Sequence, residues 1–256
     1  MTEVALTNGR RLDARFLLLE KLGSGGQGEV WRAHDETRGL DIAIKMLPPG
    51  TSRGETVWAA FEREHSMASR LDHPSILKTY PPQHIGAIVA LPMELATGGD
   101  LRRLRGAGYL EIIPVLLDIA QALEHAHDRG VIHRDLKPGN VLFDARGRVK
   151  LADFGAASTT TTSAADARIQ GLSPFTASPE QLRGKAPTVG EDIYGLGALA
   201  YELLSGYPPY YPNFDVRRAR EEPVPPLIPT RQIPPLLKGL VTRMLAKDPH
   251  ERPRSM

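Results

Sequence analysis

The sequence predicts an α+β fold with two lobes, in which an antiparallel sheet with one helix precedes a mainly helical lobe. Short apolar runs separated by turn signals extend to about residue 93, and apolar residues recur at helical spacing after residue 99. A glycine-rich break at residues 97–100 separates the two patterns, and 256 residues are enough for two lobes. We therefore expect an extension (1–15), an N-terminal lobe (16–93), a hinge (94–98) and a C-terminal lobe (99–256).

The first lobe begins with three predicted strands, at residues 15–22, 29–34 and 40–47. Residues 56–71 then predict a helix, because their apolar side chains recur every three or four positions. Glu64 falls inside this apolar stripe, and a buried carboxylate is costly unless a cation from another element pairs with it. Residues 83–94 predict two further strands around a glycine.

The second lobe is predicted to contain a long helix that stops at residues 129–130 and a short hairpin that pairs residues 141–143 with 149–151. Residues 156–171 are small and polar, so we expect a mobile loop. Three further helices follow, a buried one at 192–205, a short one at 216–221 and an amphipathic one at 236–245.

Composition excludes several classes of function. The chain has 32 Lys and Arg against 30 Asp and Glu, too even a balance to favour nucleic acid or a membrane surface as partner. It has no cysteine, which excludes disulfides, thiolate metal sites and cysteine nucleophiles. We expect a cytoplasmic segment without membrane contact, because there is no signal peptide and the apolar stretches are too short to cross a bilayer. Any membrane anchor of a parent protein would lie outside these residues.

A glycine-rich motif follows the first predicted strand: Gly23, Ser24, Gly25, Gly26, Gln27 and Gly28 fit GxGxxG. Glycines let the backbone approach phosphates closely and expose N–H groups to them. A dinucleotide-binding fingerprint requires a helix after the last glycine, whereas a strand follows here. The motif therefore indicates a loop that covers a nucleotide between two strands, and an ordinary glycine-rich hairpin turn is an equally good interpretation of the motif alone.

Lys45 lies in the third predicted strand, on the same face as Ala43. A lysine there can reach phosphates, and the small alanine leaves room for a base. An exposed lysine on an edge strand would be the simpler interpretation of this residue alone. Glu64 favours the first interpretation, because a pair between Lys45 and Glu64 explains both the lysine and the carboxylate on a buried helix face.

The strongest motif is HRDLKPGN at residues 133–140, in which Asp135, Lys137 and Asn140 supply an acceptor, a cation and a neutral oxygen ligand. Asp153, Phe154 and Gly155 follow the predicted hairpin. A second carboxylate brought to the same place as an asparagine suits a hard cation such as Mg²⁺. Either tripeptide, HRD or DFG, could occur by chance, but both in this order make a chance occurrence very improbable.

The order of these motifs resembles that of the protein kinase family: a glycine-rich loop, IAIK, a helix glutamate, HRDLKPGN, DFG, and Ser178-Pro179-Glu180. The resemblance extends from about residue 16 to residue 252 and is closest to bacterial Ser/Thr kinases similar to those of eukaryotes. It implies that the last helix of the family is cut off at residue 256. It implies that the chain uses ATP with Mg²⁺, for which Mn²⁺ can substitute. It also implies that the γ-phosphate passes to serine or threonine hydroxyls of protein substrates in a signalling pathway.

The resemblance also implies roles for single residues. Asp135 would accept the substrate proton, Lys137 would stabilise the transferred phosphoryl group, and Lys45, paired with Glu64, would hold the α- and β-phosphates. Asn140 and Asp153 would hold the metal. The remaining nucleotide-binding residues would be Leu22, Gly23, Ser24, Gly25, Gly26, Gln27, Gly28, Val30, Ala43, Met93, Glu94, Ala96, Asp100 and Leu142. Glu180 would pair with Arg252, and Asp192 would anchor the catalytic loop.

The sequence departs from the family pattern at several positions. Ser178 replaces an alanine, Ser173 replaces a threonine, and Thr176 stands where an aromatic residue is usual. Gly139 replaces an acid that is frequent at this position, and the loss of that acid weakens the case for basic substrates. These changes affect substrate docking more than phosphate transfer.

Regulation is expected in the segment after DFG. Arginines at the position of Arg134 often bind an activating phosphate, so we expect autophosphorylation, with transient homodimerisation, within six hydroxyl residues: Ser158, Thr159, Thr160, Thr161, Thr162 and Ser163. A merely flexible loop is an equally good interpretation of any one of them. A pseudokinase scaffold and a small-molecule phosphotransferase remain alternatives to the kinase. The intact motifs disfavour the scaffold, and SPE with the long segment after DFG disfavours the phosphotransferase.

Overall fold

A computed structural model describes residues 6–25, 28–47, 54–163 and 173–256. The chain forms two compact units. The first contains Met1–Arg70 and Leu77–Thr97, and the second contains Leu71–Ile76 and Gly98–Met256. Residues 71–76 were expected in the first lobe, but the N–H of Leu151 donates to the carbonyl oxygen of Ser75 at 2.8 Å and so ties this segment to the second unit.

The first unit is built on a six-stranded antiparallel sheet. Its strands are β1 (Arg11–Leu12), β2 (Phe16–Gly25), β3 (Gly28–Asp35), β4 (Leu40–Leu47), β5 (Gln83–Ile85) and β6 (Ile88–Met93). They are arranged in the order β1-β2-β3-β4-β6-β5. The sequence predicted every strand except β1, whose two residues are too few to show an alternating pattern.

Apolar side chains on one face of this sheet form the core of the first unit. Phe16, Leu18, Ile42 and Ile44 are fully buried there, as expected from the alternation of side chains along a strand. Helix α1 (Gly54–Ala68) packs against β6, and Phe61 is buried on its inner face. The predicted helix extended three residues further, to Leu71, whereas the helix ends at Ala68.

The second unit is mainly helical, as predicted. Its helices are α2 (Tyr109–His127), α3 (Pro179–Leu182), α4 (Val189–Ser205), α5 (Val216–Glu221) and α6 (Pro235–Met244). Short 3₁₀ turns occupy Leu101–Leu104, Pro138–Asn140, Phe154–Ala156 and Pro249–Glu251. Helix α4 packs against α2 and α6 and is buried along nearly its whole length, as its apolar sequence predicted.

Two small antiparallel pairs complete the second unit. One joins β8 (Val141–Phe143) to β9 (Val149–Leu151), which confirms the predicted hairpin. The other joins β7 (Val131–Ile132) to β10 (Ser158–Thr159). The prediction of a mobile loop over residues 156–171 is therefore wrong for its first residues, and residues 164–171 lie outside the described part of the chain. Within the described ranges, no helix combines the length and apolarity that crossing a membrane requires.

Candidate active site

Lys45 and Glu64 form a buried ion pair in the first unit. Lys45 lies on β4 and Glu64 on α1, and 2.9 Å separates Nζ of the lysine from Oε2 of the glutamate. Both side chains are largely shielded from water, so each charge depends on the other for its stabilisation. The structure therefore contains the pairing predicted from a single carboxylate on an apolar helix face.

The glycine-rich motif lies in the hairpin between β2 and β3. Gly23, Ser24 and Gly25 end β2 and Gly28 starts β3, whereas Gly26 and Gln27 lie outside the described residues. Gly28 has a φ of +115°, and a Cβ atom there would come within 2.1 Å of the carbonyl oxygen of Met46. Gly28 is therefore required by the backbone geometry, whatever the hairpin binds.

Six other predicted nucleotide-binding residues lie on the strands of the first unit or just after them. Ala43 is the cross-strand neighbour of Met93, and both side chains are buried. The N–H of Glu94 donates to the carbonyl oxygen of Lys78 at 2.8 Å, so its own carbonyl is the backbone group that Glu94 could offer to a base. Ala96 and Val30 are half-buried, and Leu22 is exposed.

In the second unit, the predicted base Asp135 lies in a hydrogen-bonded cluster. Its Oδ2 accepts from Nζ of Lys137 at 2.5 Å and from Nδ2 of Asn140 at 3.1 Å. Its Oδ1 accepts from the backbone N–H of Ser173 at 3.1 Å. Ser173, which stands where the family pattern has a threonine, therefore contacts Asp135 through its backbone. The structure thus brings together Asp135, Lys137 and Asn140.

Asp192 on α4 anchors the loop that carries Asp135. Its carboxylate accepts from the backbone N–H groups of His133 and Arg134, each at 2.8 Å, and lies 2.8 Å from Nε2 of His127. These bonds lower the pKa of Asp192 although its burial opposes the shift. The anchoring role that the family resemblance implied is therefore present in the structure. The contribution of His127 was not foreseen, because one histidine on a helix face carries no distinctive sequence signal.

Asn140 and Asp153 provide the oxygen atoms that a hard cation prefers. Nδ2 of Asn140 donates to the backbone oxygen and to Oδ2 of Asp135, which leaves Oδ1 as the atom that could bind a cation. Asp153 has left-handed backbone angles at the start of the 3₁₀ turn Phe154–Ala156. Phe154 packs edge-to-face on His133, with ring centroids 4.7 Å apart. This donor set fits Mg²⁺.

Asp100 and Leu142, the last two predicted nucleotide-binding residues, face each other in an isolated antiparallel bridge. The carboxylate of Asp100 accepts from the backbone N–H and from Nη1 of Arg102, and so caps the turn Leu101–Leu104. The guanidinium of Arg102 lies beside Gly139, because a Cβ atom at that glycine would be 2.9 Å from its Nη2. The absence of a side chain at position 139 thus leaves room for an arginine beside the catalytic loop.

The six predicted regulatory hydroxyls have different environments. Ser158 is buried in β10, and its Oγ lies 3.0 Å from Nη1 of Arg134. The other five lie at the end of β10 or beyond it: the hydroxyl of Thr159 is within 3.1 Å of those of Thr161 and Thr162, and Thr160, Thr161 and Ser163 are exposed.

The SPE motif lies at the start of α3, and its last residue, Glu180, forms a buried ion pair. Oγ of Ser178 accepts from the backbone N–H of Gln181, and the side chain of Gln181 in turn accepts from the N–H of Ser178. The carboxylate of Glu180 accepts hydrogen bonds from both terminal nitrogens of Arg252, and Nη2 of the arginine lies 2.9 Å from Oε2 of the glutamate. The pairing of Glu180 with Arg252 agrees with the expectation from the family resemblance.

Comparison with known proteins identifies relatives over nearly the whole chain. A family model described as "Protein kinase domain" matches residues 16–256. The chain is 35% identical to the "Probable serine/threonine-protein kinase SCO3848" of Streptomyces coelicolor, covering 96% of this chain and 39% of the relative. It is 34% identical to the serine/threonine-protein kinases PknB of Mycolicibacterium smegmatis and Mycobacterium tuberculosis, covering 96% of this chain and 42% of each relative.

The chain thus spans about two fifths of the length of these curated relatives. The family model, in contrast, covers both structural units and every residue of the Lys45–Glu64 pair and of the cluster around Asp135. This chain therefore belongs to the protein kinase domain family.

Proposed function

We propose that this domain is a serine/threonine protein kinase that transfers the γ-phosphate of ATP to hydroxyl groups of proteins. The observation that carries the proposal is the cluster in which one carboxylate, Asp135, is held by Lys137 and Asn140. Relatives named serine/threonine-protein kinase support the choice of acceptor. Protein kinases in general use ATP with Mg²⁺ and modify proteins.

In this proposal Asp135 orients the acceptor hydroxyl and takes up its proton, and Lys137 stabilises the charge of the phosphoryl group during transfer. Lys45 holds the α- and β-phosphates, and Glu64 fixes the position of Lys45. The hairpin of residues 23–28 covers the phosphates. Bound Mg²⁺ or Mn²⁺, held by Asn140 and Asp153, would neutralise phosphate charge.

The adenine is proposed to lie among apolar side chains, namely Leu22, Val30, Ala43, Met93 and Leu142. Glu94 and Ala96 offer backbone groups to the base, and Asp100 reaches the ribose. Because ATP is the phosphate donor, we place the domain in the cytoplasm, without membrane contact of its own. Substrates and regulatory partners of the whole protein belong to the proposal as well.

We also propose that the domain phosphorylates itself between Ser158 and Ser163, during transient pairing of two copies. The exposed hydroxyls of Thr160, Thr161 and Ser163 are the best acceptors in this segment, whereas Ser158 is buried against Arg134. Mass spectrometry after incubation with ATP should find phosphate on the exposed residues, and a segment without phosphate would contradict this part of the proposal.

The test of the main proposal is transfer of labelled phosphate from ATP to the domain itself and to a generic protein substrate. Asp135→Asn should lower the rate about 10²- to 10⁴-fold, because it removes the general base. Lys45→Met should lower it as well, because the phosphates lose their cation. Lys21→Met is the matched control: Lys21 lies on the same sheet and pairs with Glu29 at the surface, so its loss should leave the rate unchanged.

Equal rates in the wild type and the Asp135→Asn variant would contradict the proposal and favour a scaffold. Transfer to free amino sugars but to no protein or peptide would instead indicate a small-molecule phosphotransferase.

A further inference from the structure

Arg134, which directly precedes Asp135, is held at four points. Its N–H donates to Asp192 and its carbonyl oxygen accepts from Nε2 of Gln181, at 2.8 Å each. Its Nε donates to Glu191 at 2.9 Å and its Nη1 donates to Ser158 at 3.0 Å. The backbone of Arg134 has a φ of +70°, a strained conformation for a residue with a side chain. These four contacts hold the residue in that conformation and so fix the backbone next to the proposed base.

The charge of Arg134 is paired inside the protein. Its side chain is 1% exposed and that of Glu191 is 0% exposed. A guanidinium does not lose its proton in a protein, so a buried arginine requires an anion nearby. Glu191 supplies that anion from the first turn of α4, one residue before Asp192.

Among the described residues, Arg134 is the hydrogen-bond donor to the carboxylate of Glu191. Its second oxygen, Oε1, is buried and has no hydrogen-bond partner among the residues that the structure describes. Burial, helped by the neighbouring charges of Asp192 and Glu180, raises the pKa of Glu191 to about 8 and so favours the protonated acid, whereas Arg134 favours the carboxylate. Arg134 keeps its charge inside the protein and its Nε donates to Oε2 of Glu191 at 2.9 Å, so the neutralisation of this buried cation requires the carboxylate form of Glu191. An acid in this place costs free energy, and its one visible interaction is the neutralisation of Arg134.

We infer that Glu191 is a positioning residue, which supplies the negative charge that Arg134 needs and thereby holds Asp135 in its working geometry without a phosphate on residues 158–163. The inference rests on the proposed kinase activity and concerns its regulation. Autophosphorylation of the exposed hydroxyls then serves some purpose other than neutralising this arginine.

The surroundings of Arg134 are unfavourable for a phosphate. The carboxyl groups of Glu191 and Asp192 follow each other at the start of α4, and both accept hydrogen bonds from Arg134. A phosphate carries nearly two negative charges at neutral pH, and beside carboxylates it is destabilised by repulsion. Nη1 of Arg134 already donates to the hydroxyl of Ser158, so this N–H group is not available to an incoming phosphate.

The first test needs no substitution. The domain is produced with a co-expressed phosphatase, mass spectrometry verifies that residues 158–163 carry no phosphate, and peptide phosphorylation is followed from the moment ATP is added. We expect a linear progress curve without a lag, and a rate within about twofold of that of protein preincubated with ATP. A lag that shortens as the enzyme concentration rises, or an activation of about tenfold or more on preincubation, would overturn the inference.

The second test compares two buried glutamates of α4. Glu191→Gln keeps the shape but removes the charge beside Arg134, and Glu202→Gln does the same beside Arg105, which lies outside the catalytic loop. We expect Glu191→Gln to lower kcat about tenfold or more with KM for ATP nearly unchanged, because small displacements of a catalytic group slow the chemical step strongly. Glu191→Asp, which retains the charge, should recover part of the loss, and Glu202→Gln should keep kcat.

The same kcat in the Glu191→Gln and Glu202→Gln variants would overturn the inference. If Glu191→Gln does not fold, the progress curve of the unchanged protein decides the question. Failure of the proposed function is distinguishable, because the wild type would then transfer no more phosphate than Asp135→Asn. A wild type that transfers phosphate only after autophosphorylation would refute this inference and leave the kinase proposal intact.

Discussion

Asp35, at the end of β3, is the most completely buried of the described acids in the first unit. It accepts hydrogen bonds from Arg15 at 2.9 and 2.7 Å and from Nη1 of Arg38 at 2.9 Å. These donors, Arg15 foremost, lower the pKa of Asp35 to about 2 although its burial opposes the shift. The carboxylate thus joins the start of β2 to the turn after β3.

Asp35 should make the first unit sensitive to acid. Because its pKa in the folded state is lower than in the unfolded chain, the unfolded chain binds more protons between about pH 4 and pH 2. Its stabilisation is complete above that range and is lost as the pH falls through it, at a cost of about 2 kcal/mol. Urea unfolding of the wild type and Asp35→Asn between pH 6 and pH 2 measures this difference.

We expect the stability gap between the wild type and Asp35→Asn to narrow as the pH falls. Asp13→Asn, at an exposed loop position before β2, is the control and should behave as the wild type does. A gap that stays constant down to pH 2 would contradict the assignment of the effect to this carboxylate.

The partners of some buried acids could be predicted from the sequence, and those of others could not. Glu64 was predictable, because a carboxylate that interrupts an apolar stripe has to find a cation. Glu191 and Asp35 were not, because their partners come from segments whose proximity no local pattern encodes. Residue type and spacing therefore predicted the pairing of Glu64 with Lys45, and the structure was needed to find the buried acids Glu191 and Asp35.

At the scale of elements, α4 packs tightly against the end of α6 at Gly197. A Cβ atom there would lie 2.8 Å from Cβ of Met244 and 3.2 Å from Cγ of Leu245. Cβ of Met244 is fixed to the helix backbone and cannot turn aside. A glycine in the middle of a helix normally lowers its stability, so its presence here is explained by the packing of the two helices.

Gly197→Ala should destabilise the second unit by about 1–3 kcal/mol, because the added methyl group forces α4 and α6 apart. Gly239→Ala is the matched control on α6, where no described atom outside the adjoining backbone of the helix lies within 4 Å of the new Cβ, and it should gain about 0.5–1 kcal/mol from helix propensity. Thermal and urea unfolding measure both effects. A neutral Gly197→Ala variant would show that the helices can separate without cost.

Regular elements were predicted well where their periodicity was long. Helix α4 and strands β3 and β4 appear within a few residues of their predicted bounds. The pair of β7 with β10 was missed because each strand has two residues and their sequences show no alternation. Long-range hydrogen bonds, rather than local propensity, create such short strands.

At the scale of the molecule, the pair of Glu180 and Arg252 connects two segments of the second unit that lie 72 residues apart in the chain. Arg252 also donates to the carbonyl oxygens of Gly190 at 2.7 Å and of Ala246 at 2.9 Å. One guanidinium thus joins the end of the SPE motif, the start of α4 and the segment after α6.

Glu180→Gln should cost about 3–5 kcal/mol of stability, because it leaves the cation of Arg252 buried without its anion. The control is Glu221→Gln, which breaks an exposed pair with Arg217 four residues away and should change stability by about 0.5 kcal/mol or less. Urea unfolding compares the two variants. Equal losses in the free energy of unfolding for the two variants would show that burial does not strengthen the pair of Glu180 and Arg252.

The division of the chain into two units was predictable in outline, because strand-like and helix-like patterns change near residue 97. The position of residues 71–76 was not, because a backbone hydrogen bond to Leu151 and a bridge of Ile76 with the same residue decide it. Sequence patterns report local periodicity, whereas membership of a compact unit depends on contacts between distant segments.

The anchoring of the catalytic loop by Asp192 has a consequence for biosynthesis. The carboxylate that holds the amide of His133 is encoded 59 residues later. Because translation proceeds from the N-terminus, the ribosome releases residues 133–135 well before the helix that fixes their backbone. The nascent chain therefore carries the proposed catalytic side chains for an interval in which their loop lacks its final conformation.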